Sequence, residues 1–228
     1  MSTAIVSYDG TLNDEDALGL ANVLRLAGLD LILAYVRHAT LSERLREELE
    51  EHEAAELLER GARWLGDLDV ERQVVVHAST GEGLRVLADR TEADLIVFGS
   101  DYRTAAGHVQ PQASAQRLLE GGHTSVALAP AGYGGTREHE IHSIGLLAGL
   151  DDHAAIDTAH GLASHYEASV TSATHGVDLL IVGSRPEAGD GLVLVSAQAQ
   201  NAIEDASCPV LVVARSVPVH FRSPVYVS

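Results

Sequence analysis

The sequence predicts an open, doubly wound α/β fold, a parallel sheet covered by helices on both faces. Three observations predict it. Short apolar runs such as DLILAYV (30–36) and ADLIVFG (93–99) are continuous rather than alternating, as strands buried on both faces must be. Longer stretches between them carry apolar residues at helical spacing. The two kinds of segment alternate along the chain, and right-handed crossovers between parallel strands then wind the sheet outward from its centre.

Each element follows from local signals. The first strand is Ala4–Tyr8. A helix over about 13–27 places Ala17, Leu20, Ala21 and Leu24 on one face and stops at Gly28. The second strand is Leu31–Val36. A helix over about 41–65 carries the charged run SERLREELEEHEAAELLER (42–60), whose mixed-sign pairs at helical spacing read as a solvated face. Glu71–Val76, Asp94–Phe98 and Ser125–Ala129 are the next strands, with helices over 81–91 and about 112–120 between them. AGYGGTREHE (131–140) has glycines, charges and no apolar period, and reads as a linker.

Composition narrows the function. Of 228 residues 46% are hydrophobic, which excludes a disordered chain and leaves room for one large or two small cores. The net charge of −18 repels phosphate backbones and anionic lipid, so neither nucleic acid nor membrane is an expected partner. All 15 basic residues are Arg, which excludes a Schiff-base lysine and a P-loop lysine. Cys208 is alone, so no disulfide framework or cysteine zinc site is expected, and in CPVLVVA it reads as a small buried thiol. MSTAIVSYDG lacks the form of a signal peptide and no run of 18 apolar residues occurs, so a cytoplasmic location is the default.

The chain repeats itself. DLIVFGS (94–100) returns as DLLIVGS (178–184), and the offset of 84 residues carries Ala115-Gln116 onto Ala199-Gln200 and 125–128 onto 209–212. Upstream, 5–10 best matches 144–149, an offset of 139, so the second copy is 55 residues shorter. It keeps a strand at Ile144–Ala148, one long crossover (150–177), a strand at Asp178–Val182, a helix near 197–205 and a strand at Val210–Val213. The units are then 1–131, a linker 132–142, a shortened copy 143–215 and a tail 216–228. The tail, VPVHFRSPVYVS with Pro218 and Pro224, is expected either to cover a sheet edge or the other unit, or to fray.

With these residues in place the chain resembles the universal stress protein family, in its tandem form with a shortened second domain. The resemblance rests on AIVSYDGT (4–11), LILAYVRHA (31–39), ADLIVFGS (93–100) and QASAQRLLEGGHTSVALAP (112–130), and in the second copy on VDLLIVGSRPE (177–187) and SAQAQNAIEDASCPVLVVAR (196–215). It implies a Rossmann-like fold with strand order 3-2-1-4-5, duplicated, the second copy reduced to strands 1-4-5. It further implies intramolecular pairing of the two units through their last strands, Ser125–Ala129 and Val210–Val213; a further homodimer is left open. One branch of the family binds ATP or AMP and another binds no nucleotide.

The nucleotide-binding branch carries Gly-x2-Gly-x9-Gly-Ser/Thr from the end of strand four. Here its positions hold Gly99, Tyr102, Gln112 and Ala113, and in the second copy Gly183, Pro186, Ser196 and Ala197. Glycine would supply free φ and close approach of backbone N–H groups to phosphate. Gln112 puts a long side chain there instead, Ala113 removes a hydroxyl, and Pro111 removes an N–H. The remaining candidates for a bound AMP or ATP are Asp9, Gly10, Thr11, the backbone of Val36, Gly99, Ser100 and the cation Arg103. By resemblance Asp9 would meet the adenosine and the backbone of Val36 the adenine; the alternative for Asp9 is a turn or helix cap. In the second copy Ala148 stands in the place of Asp9, and Asp151 and Asp152 read as helix caps.

Other chemistry is thin. His139-Glu140-Ile141-His142, and His160 with His165, lack the HExxH form and read as surface histidines. Ser100 and Ser184 follow Gly without the Gly-x-Ser-x-Gly elbow, so no catalytic residue and no metal site is expected. The expectation is a non-catalytic stress-response module with a degenerate adenine-nucleotide site and no resident cofactor. The alternatives are a working AMP/ATP sensor through the first unit and a slow ATP hydrolase, for which Asp101 is the loop carboxylate near strand four.

Overall fold

The computed structural model describes residues 2–11, 13–38 and 44–222, with 44–50 described by backbone alone. The expected start of helix two at Leu41 and the tail beyond Arg222 lie outside the described residues.

The first half runs β1 (Thr3–Ser7), α1 (Asp14–Leu26), β2 (Asp30–Arg37), α2 (Arg44–Leu65), β3 (Glu71–Val76), α3 (Thr80–Thr91), β4 (Leu95–Gly99), α4 (Ala113–Leu119) and β5 (Ser125–Ala129). The second half runs β6 (Ser143–Leu147), α5 (His153–Tyr166), β7 (Ser169–Thr171), β8 (Leu179–Gly183), α6 (Ala197–Glu204) and β9 (Val210–Val213). The strands lie in one sheet in the order β3-β2-β1-β4-β5-β9-β8-β6-β7. Every pairing within a half is parallel. The halves meet where β5 and β9 pair antiparallel, with Val126 opposite Val212, Ala127 opposite Leu211 and Leu128 opposite Val210.

Continuous apolar strands feed two cores. Ala4, Val6, Leu95 and Val97 face α1, α2 and α5, whereas Ile5, Ile96, Phe98 and Val126 face α3, α4 and α6. Alternate residues of one strand thus pack on opposite helical layers, which is why these strands could not alternate apolar with polar.

The second half differs from the expected reduction to three strands. Its crossover holds α5 and a short strand, β7, parallel to β6. Three residues after a left-handed Glu167 (φ 53°) carry too little pattern to be read from sequence. β7 covers the β6 edge, so the tail has other work. It runs over α5 and α1: Val219 N–H donates to Thr158 Oγ1 (3.0 Å), His220 N–H to Ser2 Oγ (2.9 Å) and Arg222 N–H to the Ala27 carbonyl (3.0 Å). Tyr166 on α5 also donates to the Val23 carbonyl of α1 (2.6 Å), joining the halves on that face.

The segment read as a linker is docked. Asp16 on α1, 4% exposed, accepts from Gly132 N–H (2.9 Å) and Gly134 N–H (2.6 Å). A Cβ at Gly134 would lie 2.3 Å from the Glu15 carbonyl oxygen, so only glycine allows this approach. His139 is not a surface histidine: its ring stacks on Tyr133 at 3.7 Å between centroids, and burial pulls its pKa down. Cys208 is buried and its thiol is pushed up to about 11, chiefly by burial, as suits an inert core residue.

Candidate functional site

Open α/β sheets bind ligands beyond the carboxyl ends of their strands. Here β1 and β4 lie side by side and send out the loops to α1 and α4. The loops touch at Gly99, where an added Cβ would stand 2.1 Å from the Asn13 carbonyl oxygen. Asn13 Nδ2 donates across the contact to the carbonyls of Ser100 (3.2 Å) and Asp101 (2.8 Å). Gly99 therefore serves the packing of one loop on another, whatever it does for a ligand.

Ser100 is 1% exposed. Its hydroxyl donates to the Ala129 carbonyl (2.7 Å) and accepts from Gln110 N–H (3.1 Å). Ser184 does the same in the second half, donating to Val213 (2.7 Å) and accepting from Leu194 N–H (3.4 Å). Each serine pins a long loop to the end of the last strand of its half. Ser100→Ala and Ser184→Ala should each cost roughly 1–3 kcal/mol by leaving buried backbone groups unpaired, measured by urea unfolding; a cost below the error of that measurement would contradict the pin.

Asp9, Gly10 and Thr11 are exposed at the turn after β1. Asp9 Oδ1 accepts from Thr11 N–H (3.1 Å), the cap-like alternative for this residue. The turn's N–H groups point at a residue the sequence reading had not picked. The carboxylate of Asp14, 2% exposed, accepts from the N–H groups of Asp9, Gly10 (2.5 Å) and Thr11 (3.3 Å), and from the Thr11 hydroxyl (3.1 Å). A ring of donors suited to an external anion is thus filled by the first residue of α1. Burial, with the Asp9 carboxylate facing it, pushes Asp14 up to about 7. Thr11-Leu12-Asn13-Asp14 has the Ser/Thr-x-x-acid form of a capping box, the signal that could have found it.

Val36 is buried and its side chain packs in the α3 layer. Tyr8 N–H donates to the Ala34 carbonyl on the β1 side (2.9 Å), and His77 N–H to the Arg37 carbonyl on the β3 side (3.0 Å). Alternation along a parallel strand then turns the N–H and C=O of Val36 toward the β1 side, past the last residue of β1. Arg103 is elsewhere. It is exposed, its Nε donates to the Tyr102 hydroxyl (2.6 Å), and it lines a cavity of about 430 Å³ with Gln116 of α4 and Gln200 and Glu204 of α6. That cavity includes none of Asp9, Gly10, Thr11 or Val36. At the phosphate position Gln112 Nε2 donates to the Gly99 carbonyl (3.1 Å), laying the side chain across the turn.

In the second half Asp152 caps α5, accepting from Ala155 N–H (3.3 Å), and is 1% exposed. Its Oδ2 lies 2.2 Å from where a Cβ on Gly183 would stand. Arg215 bonds Asp151 (2.8 Å) beside it. Among the described residues no cluster of three or more His, Cys, Asp or Glu is placed to hold a metal ion.

No family model matches the sequence, and no curated protein matches it. Solved structures do match. A universal stress protein from Archaeoglobus fulgidus DSM 4304 superposes with a TM-score of 0.68 at 11% identity, over 94% of this chain and 98% of that one. The chain has the universal stress protein fold. A putative universal stress protein from Pseudomonas aeruginosa UCBPP-PA14 gives 0.61 at 13% identity over 93% of each chain. A functionally unknown protein from Pseudomonas aeruginosa PAO1 gives 0.62 at 12% identity, over 94% of this chain and 93% of that one. Each superposition spans both halves. Of the residues expected from the sequence, Asp9, Gly10 and Thr11 form the turn after β1 and Gly99 ends β4 beside it, whereas Ser100 is buried and Arg103 lines a different cavity.

Proposed function

We propose that this chain belongs to the universal stress family and works as a non-catalytic stress-response module, acting through its surfaces, with a strand-end nucleotide site filled by its own side chains. The observation that carries this reading is Gln112, whose amide bonds the Gly99 carbonyl across the turn where the nucleotide motif has its third glycine. Asp14 adds to it: its buried carboxyl group already takes up the N–H groups after β1. The second half supports it too, with Pro186 and Ser196 in place of two motif glycines and the Asp152 carboxylate against Gly183. No helix among the described residues is long and apolar enough to cross a membrane, which accords with the cytoplasmic location that goes with this proposal.

One observation favours a sensor of AMP or ATP instead. Asp9 is exposed and the backbone of Val36 offers polar groups past the end of β1, so the nucleoside end of the site is open while the phosphate end is filled. Calorimetric titration with ATP and AMP in the presence of Mg²⁺, beside Asp9→Ala, separates the readings. The module gives no heat with either nucleotide while folded. Micromolar binding lost in Asp9→Ala would establish the sensor. Binding with release of phosphate would establish the hydrolase, although Asp101 Oδ1 is already engaged by Arg103 N–H (3.0 Å).

A further inference from the structure

A second cavity lies between α1 and α2, next to the turn after β1. It measures about 370 Å³ and is lined by Tyr8, Gly10, Thr11, Glu15, Arg60 and Trp64. The volume is that of a small-molecule pocket. Tyr8 is nearly buried and forms its base because Gly61 lets α2 come close: a Cβ there would stand 3.2 Å from the Tyr8 ring. Trp64 is half-buried and forms a wall, with the Arg137 guanidinium 5.3 Å from its ring.

Glu15 projects from the first turn of α1 and Arg60 from the last turns of α2, so the pocket carries one charge of each sign. Among the described residues neither forms an ion pair within 4.0 Å. Arg60 lies against the Tyr8 hydroxyl, whose pKa burial pushes up. Two unmatched opposite charges beside aromatic surface are an arrangement that a dipolar molecule with an apolar or planar body satisfies and that a nucleotide's phosphates do not.

We propose that the α1–α2 pocket binds a small zwitterion of amino-acid size, its carboxylate on Arg60, its ammonium on Glu15 and its body against Trp64 and Tyr8. Guanidinium and carboxylate form paired charge-assisted hydrogen bonds, and the aromatic walls supply apolar area. Gly10 and Thr11 are shared with the turn after β1, but Glu15, Arg60 and Trp64 are not strand-end residues, so substitutions there test this pocket by itself.

Trp64 is the single tryptophan of the chain, so its emission reports on the pocket. The full chain is titrated with L-phenylalanine and L-leucine, and with 3-phenylpropionate and phenethylamine, which each keep one of the two charges. The expected result is a saturable change in emission with an amino acid, and binding weaker by roughly tenfold or more for both single-charge analogues and in Arg60→Gln and Glu15→Gln. Both side chains are exposed, so the variants should keep the native thermal midpoint, which is checked alongside. The proposal is overturned if neither amino acid gives a saturable change, if a single-charge analogue binds as tightly as L-phenylalanine, or if the folded variants bind unchanged.

Discussion

Gly99→Ala should destabilise the protein by roughly 3 kcal/mol, at the upper end of what overpacking costs. The added methyl would stand 2.1 Å from the Asn13 carbonyl oxygen, a backbone atom at the start of α1 that cannot swing aside. Relief requires α1 to shift, and α1 packs on β4, β5 and the turn at Tyr133–Gly135. For a domain of this size the loss corresponds to a fall in Tm of roughly 6–12 °C. Gly183→Ala is the comparison. Its methyl would meet Asp152 Oδ2 at 2.2 Å, but that atom is the end of a side chain and can turn away, at the cost of the α5 cap. The second substitution should therefore cost less than the first. Equal, small effects in the two halves would show that the loop contact at Gly99 is not rigid.

The second large effect is a pH dependence centred on Asp14. Its folded pKa, pushed up to about 7 by burial and by Asp9, stands above the ordinary value near 4 for an unfolded chain. Between those values the folded protein holds a proton that the unfolded chain has released. Stability from this group is therefore full below about pH 4 and is lost as pH rises through about 7, the reverse of a salt-bridged carboxylate. Asp14→Asn stays neutral throughout and keeps an acceptor for the N–H groups of Gly10 and Thr11. It should be more stable than the native chain at pH 8 by roughly 2–4 kcal/mol, with the advantage shrinking toward pH 4. Urea unfolding at pH 4.5, 6 and 8 reads the slope directly. Parallel slopes for the two proteins would mean that the backbone N–H groups hold Asp14 ionised and that burial does not govern it.

What the sequence made legible followed from strong periodic signals. Runs such as LIVFG (95–99) and SVALA (125–129) are apolar throughout, and they sit in the middle of the sheet with helices on both faces. β7 escaped because Ser169–Thr171 is three residues long and lacks an apolar run. The docking of 131–140 escaped because its determinants are remote: Asp16 and the Glu15 carbonyl lie on α1, more than a hundred residues upstream.

Asp9 and Gly99 lie at the carboxyl ends of the adjacent strands β1 and β4, as their places in the sequence imply. The partner of the Ser100 hydroxyl, the Ala129 carbonyl, is 29 residues away, beyond what local sequence can show. Arg103 was assigned as a phosphate cation from its place in the loop, but loop conformation turns it to Tyr102 and the α4–α6 cavity. Asp14 is one of three acidic residues in the first turn of α1, and composition does not tell it from the other two. Only the backbone geometry of the turn shows that its carboxyl group takes up the N–H groups there.

The measurement that tests the central claim most directly is calorimetric titration of the native chain with Mg·ATP near neutral pH. A site filled by Gln112 and Asp14 predicts no binding heat up to millimolar nucleotide, with the protein folded. Stoichiometric binding at micromolar nucleotide would contradict it.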